Sequence, residues 1–208
     1  MPPRKGIVLE TPFVTAFTAI ASALFIAELT DKDAMLILAL ATRSKAVRVF
    51  LAGSVAFTMT TAIIVSLGAI LITLVPIAWI KIAGGMVMLG YGAWQARGLL
   101  GKKEVEQEER VIERSKDGIR TFLLTVGALA LLDLAGDATE VLTIVFVAQY
   151  SDLILVFSAA CVGLIAATGV ETALGNQLGR WLTPTRARYL SASIFVVLGI
   201  FILATGLS

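Results

Sequence analysis

Six apolar runs of 19 to 29 residues divide this chain, at positions 13–41, 49–75, 77–99, 121–149, 153–174 and 189–207. A bilayer core about 30 Å thick takes roughly 20 mostly apolar residues as a helix. The expected fold is therefore an all-α integral membrane protein with six transmembrane helices. Composition agrees: 58% of residues are hydrophobic and only 15% charged, against about 25% charged in soluble domains. Of the 17 basic and 15 acidic residues, 12 lie between positions 102 and 120, so the runs themselves are more apolar than the average. The first run follows a short basic start and continues into acidic residues, so a retained helix is expected rather than a cleaved signal peptide.

Lys and Arg in short loops orient such a chain. Arg43, Lys45 and Arg48 follow the first run, Arg97 and six more follow the third, and Arg180, Arg186 and Arg188 follow the fifth. These loops share one side, expected to be cytoplasmic, which places both termini outside the cytoplasm of a cell-membrane protein. The 101–120 stretch mixes six basic with six acidic residues and suits a solvated helical linker. It separates two three-helix halves, 1–100 and 121–208. Acids fall at matching places in the first helix of each half, and Met88-Leu89-Gly90 matches Val197-Leu198-Gly199 in the third. With three helices per half, the second copy enters the membrane from the opposite side, an inverted repeat whose site is expected near the midplane. Small residues such as Gly84, Gly85, Gly90 and Gly92 suit close helix packing in lipid. Trp79, Trp94 and Trp181 lie near predicted helix ends, as interfacial aromatics do.

The chain has no histidine and a single cysteine, Cys161, so metal or proton chemistry must run on oxygen ligands. A net charge of +2 without a basic stripe argues against nucleic acid as a partner. The acids are Glu28, Asp31 and Asp33 with Lys32 in the first run, and Asp133, Asp137 and Glu140 beside Thr139 in the fourth; Glu171 lies in the fifth. An ionised carboxylate at mid-bilayer costs at least about 2.5–3.5 kcal/mol on insertion scales. Seven acids against Lys32 cannot be satisfied by ion pairing, so they must face a cation, one another or water. A hard divalent cation takes six to eight oxygens as Ca²⁺, and Mn²⁺ also favours an oxygen shell. Carboxylates of both clusters with the Thr30 and Thr139 hydroxyls furnish such a set. One dication does not neutralise them all, and metal binding that competes with protons is what exchange requires.

These residues resemble a known family. Glu28-Leu29-Thr30-Asp31-Lys32-Asp33 looks like the Glu-x-Gly-Asp-Lys/Arg-Ser/Thr motif that occurs twice in the Gdt1 family, and Leu134-Ala135-Gly136-Asp137-Ala138-Thr139 looks like its second copy. The similarity covers nearly the whole chain, including Leu174-Gly175-Asn176-Gln177-Leu178-Gly179-Arg180 after the fifth run. It implies an exchanger of Mn²⁺ or Ca²⁺ for protons in the lipid bilayer, not an enzyme, with the cation as substrate and no cofactor. By that similarity Glu28, Asp31 and Asp137 are motif acids and Thr139 is the motif hydroxyl. Thr30 replaces the motif glycine, Asp33 the first hydroxyl, Leu134 the second glutamate and Ala138 the second basic residue, so the chain resembles a divergent member.

The metal ligands expected are thus Glu28, Asp31, Asp133, Asp137, Thr139 and Glu140, with Lys32, Asp33 and Glu171 in coupling or gating roles. Two other readings compete. An exporter of a softer metal such as Cd²⁺ would want thiolates or imidazoles. An intramembrane aspartyl protease would use Asp31 and Asp137 as a dyad and leave Glu28, Asp133 and Glu140 without a role.

Overall fold

In the computed structural model the described residues are 10–43, 45–96, 119–133, 138–175 and 184–206. They form helices α1 (Glu10–Glu28), α2 (Lys32–Arg43), α3 (Ala46–Leu74), α4 (Ile77–Ala96), α5 (Ile119–Asp133), α6 (Ala138–Tyr150), α7 (Leu153–Ala173) and α8 (Pro184–Gly206). The expected linker at 101–120 falls mostly outside the described residues, as do Asp137 and Trp181.

The first run, expected as one helix, is two. The Thr30 hydroxyl donates to the Ala27 carbonyl at 3.0 Å. The backbone N–H groups of Thr30 and Asp31 donate three residues back, to Ala27 (3.2 Å) and Glu28 (3.0 Å). These tighter bonds take up carbonyls that α1 leaves open and end it. Asp31 then stands just ahead of α2, where a short acidic side chain suits the N-cap and the positive end of the helix. Glu28 and Asp31 therefore flank a break rather than sharing one helix face. In the fourth run the described helices are α5, to Asp133, and α6, from Ala138, and residues 134–137 lie outside the described residues.

Helix α3 shows what surrounds the bundle. Its inner face carries Ala52, Gly53, Ala56, Phe57, Thr60, Thr61 and Ile64, all buried. Its outer face presents Leu51, Val55, Met59, Ile63, Leu67 and Ile70, each between 42% and 57% exposed. A helix in water would place charges there; this one is apolar outside and keeps Thr60 and Thr61 on its inner face. Helices α3, α4 and α7 are each long and apolar enough to cross a membrane, and α1, α6 and α8 carry the shorter apolar stretches Phe13–Glu28, Thr139–Tyr150 and Ala192–Ala204.

Backbone approaches at small residues fix the packing. Helices α4 and α8 pack along much of their length, in opposite directions: Gly85 lies against Gly199 and Gly92 against Ala192. A Cβ on Gly85 would stand 3.1 Å from the Gly199 carbonyl oxygen, and one on Gly199 3.0 Å from that of Gly85. Gly90, by contrast, has nothing within 4 Å of such a Cβ. Helices α3 and α7 are also antiparallel, with Gly53 on Thr168 and Phe50 on Gly169. Helix α7 runs the same way as α1 and α2, since Gly163 meets Ala21 and Gly175 meets Ala41 and Leu38.

Candidate cation-binding site

The α1–α2 break carries its acids into the interior. Glu28 and Asp31 are 0% and 1% exposed, and Thr30 is buried beside them. Glu28 follows Ala21 by two turns and so shares the face that Ala21 turns toward α7. Glu171 on α7 is likewise 0% exposed. It lies eight residues past Gly163 as Glu28 lies seven past Ala21, about 12 and 10 Å along helices running the same way. The two buried glutamates are therefore close to one level. From α4 the Tyr91 hydroxyl donates to Asp31 Oδ1 at 3.3 Å.

A second polar group lies between α3 and α6. Thr60, Thr61, Ile64, Thr139, Glu140, Thr143 and Leu164 line a cavity of about 10 Å³, close to the least that one water needs. Glu140 belongs to the first turn of α6, where the helix dipole favours a carboxylate. Two of these threonines spend their protons on their own helices. Thr143 donates to the Thr139 carbonyl at 2.8 Å, and Thr60 to those of Ala56 and Phe57 at 3.2 Å. Thr168 and Thr172 do the same on α7, at 2.9 and 2.7 Å. A hydroxyl bonded back to its helix keeps its oxygen lone pairs for the interior. Among the described side chains no Lys or Arg is buried. An interior lined by carboxylates and such hydroxyls accepts hydrogen bonds and cations, and repels anions.

The structure thus groups Glu28, Thr30 and Asp31 at the α1–α2 break and Thr139 with Glu140 in the first turn of α6. Among the described residues no three acids converge as a metal cage. Lys32 and Asp33 sit in the first turn of α2 and Asp133 ends α5; their side chains, like the whole of Asp137, lie outside the described residues. Tyr91, Thr60, Thr61, Thr143, Thr168 and Thr172 are additions that sequence reasoning missed. The threonines carried one available signal, since each puts a hydroxyl in an otherwise apolar run.

A family model described as the divalent cation/proton antiporter GDT1 matches residues 16–102 and 121–208. The two matched segments take in both helical halves and leave out most of the charged stretch between them. Neither a curated protein nor a solved structure matches the chain.

Proposed function

The chain belongs to the GDT1 divalent cation/proton antiporter family, and from that premise we propose that it exchanges Mn²⁺ or Ca²⁺ for protons at a buried site of carboxylates and hydroxyls. It is a multi-pass membrane protein of a transporter family rather than an enzyme, with the bilayer, cations and protons as its partners. That membership removes the protease alternative. The observation that carries the site reading is the complete burial of Glu28 and Asp31 at a helix break, in a bundle whose outer surface is apolar. In secondary transporters, broken helices at the repeat interface form the ion site. Glu28, Asp31, Asp133, Asp137, Thr139 and Glu140 are the ligands in this reading. Oxygen donors alone favour Mn²⁺ and Ca²⁺ over Cd²⁺.

Six spans in two inverted repeats, 1–100 and 121–208 joined by a cytoplasmic linker at 101–120, accommodate these features. Helix α6 reaches only about 20 Å and α2 about 18 Å at 1.5 Å per residue, so each completes a crossing only with α5 or α1. The antiparallel pairs α3–α7 and α4–α8 are those that an inverted relation of the halves demands. The Gly85–Gly199 and Gly92–Ala192 contacts exchange with one another when the halves are exchanged, which makes Gly92, not Gly90, the partner of Gly199. The α2–α3 turn is basic, with Arg43 and Lys45, whereas the α6–α7 turn carries Asp152, which caps α7 through the Ile154 and Leu155 N–H groups. Opposite sides of a membrane differ in this sense, with the basic side cytoplasmic and both termini outside in a cell membrane.

The test is flux in proteoliposomes loaded with a metal-sensitive dye, run with Mn²⁺, Ca²⁺, Mg²⁺ and Cd²⁺ with and without a pH gradient. Mn²⁺ or Ca²⁺ uptake driven by an outward proton gradient is expected. Uptake of Cd²⁺ alone, or no metal flux, would contradict the assignment.

A further inference from the structure

The packing of the short helices fixes a register between the two halves. Gly68 of α3 lies against Val147 of α6, and Gly175, just past α7, lies against Ala41 of α2. Val147 is ten residues beyond Asp137 and Ala41 ten beyond Asp31, so the two contacts are counterparts. Four residues back from the glycines stand Ile64 and Glu171; seven back from their partners stand Glu140 and Ala34. Ile64 and Glu140 line the same small cavity. Their counterparts Glu171 and Ala34 are both 0% exposed.

Each half therefore holds one carboxylate outside the repeated motif, at the same place between a long and a short helix. In the second half it stands on the short helix, opposite Ile64; in the first it stands on the long helix, opposite Ala34. Glu171 is not placed there as packing. Among the described residues neither of its carboxylate oxygens has a hydrogen-bond partner, and a buried polar group in a folded protein normally has one. It lies near the level of Glu28, on a helix whose buried hydroxyls, Thr168 and Thr172, already give their protons to the backbone. Ala34 presents only a methyl at the corresponding place on α2.

We propose that Glu171 is a cation ligand of the first half, the counterpart of Glu140 with its carboxylate transposed from the short helix to the long one. This rests on the carboxylate-site reading above and adds a ligand from a helix outside both motif copies. A cation bound at Glu28 and Asp31 draws the Glu171 carboxylate toward it.

The experiment measures Mn²⁺ affinity by flux and by the metal-induced rise in Tm of the detergent-purified full chain. Glu171→Gln keeps the shape and removes the charge; it is expected to weaken Mn²⁺ affinity about tenfold or more, the size of effect that ligand-shell changes produce. Its metal-free Tm should be no lower than that of the parent. Glu171→Asp should retain more affinity than Glu171→Gln. Ala34→Glu combined with Glu171→Ala restores the arrangement of the second half and should bind Mn²⁺ better than Glu171→Ala alone. Parental affinity and Tm rise in Glu171→Gln would overturn the proposal, as would a folded double variant that recovers nothing; if the double variant does not fold, Glu171→Gln decides. Asp31→Asn is the control: if it too binds Mn²⁺ normally, the carboxylate-site reading itself is wrong.

Discussion

The Tyr91 hydroxyl donates to Asp31 Oδ1 at 3.3 Å, while the Tyr91 ring meets Phe195 of α8 edge-on at 5.3 Å. One side chain thus joins a buried acid at the α1–α2 break to the last helix of the other half. A hydrogen bond onto a carboxylate orients it for a cation, and the ring contact holds the donor in place. Tyr91→Phe keeps the ring and removes the bond. At a net worth of about 1 kcal/mol for such a bond, apparent Mn²⁺ affinity should fall about threefold to tenfold with little change in expression. Unchanged affinity in the flux assay would show that the bond does not position Asp31.

The α4–α8 crossing makes a separate claim about assembly. Gly85 and Gly199 approach through their backbones, so a larger side chain must push the helices apart. Overpacking of this kind costs about 1–3 kcal/mol or more. Gly85→Leu should lower Tm and folded yield in detergent, while Gly90→Leu, at a position with nothing within 4 Å, should be tolerated. Equal tolerance of both would refute the crossing.

How legible this was from sequence depends on which physical effect one asks about. Acids in lipid-length runs stand out because their burial is so costly without a partner, and Glu28, Asp31 and Glu171 are indeed buried. The break at Thr30 and Asp31 was harder to see. Its signal is local, a threonine hydroxyl bonded back to Ala27 and an aspartate just ahead of α2, inside a run whose length suits a single crossing. Tyr91 was not legible at all, because its role depends on which helix lies across from it. The pairing of Glu171 with Ala34, against Glu140 with Ile64, likewise exists only once Gly68 and Gly175 set the register.

The second half lacks the motif glutamate at Leu134, and Asp133 stands one position earlier. Relative to Asp137, a residue four back on a helix is offset by about 40° and one three back by about 60° the other way. Asp133 is the last residue of α5. Asp133→Ala should strongly weaken transport, and adding Leu134→Glu should recover part of it. Normal transport by Asp133→Ala would leave Glu140 and Glu171 as the acids that replace the missing one.

Topology can be checked with one cysteine. A Cys161→Ala background with Ser115→Cys places the only thiol in the charged stretch between the halves. With that stretch cytoplasmic, the thiol should resist an impermeant maleimide in intact cells and react after lysis. Ready labelling from outside would invert the orientation.

The central claim is that protons and a divalent cation compete for the same buried carboxylates. Each proton bound removes a ligand charge, so Mn²⁺ affinity must weaken as pH falls, and Mn²⁺ entry must expel protons. The direct measurement is Mn²⁺ uptake with simultaneous proton release in proteoliposomes between about pH 6 and 8, a range in which a chain without histidine has no ordinary side chain to titrate. The parent protein is expected to lose apparent affinity steadily toward pH 6 and to release protons with each Mn²⁺ taken up, and Asp31→Asn to do neither. Affinity that is flat across that range, with no proton movement during flux, would contradict the account.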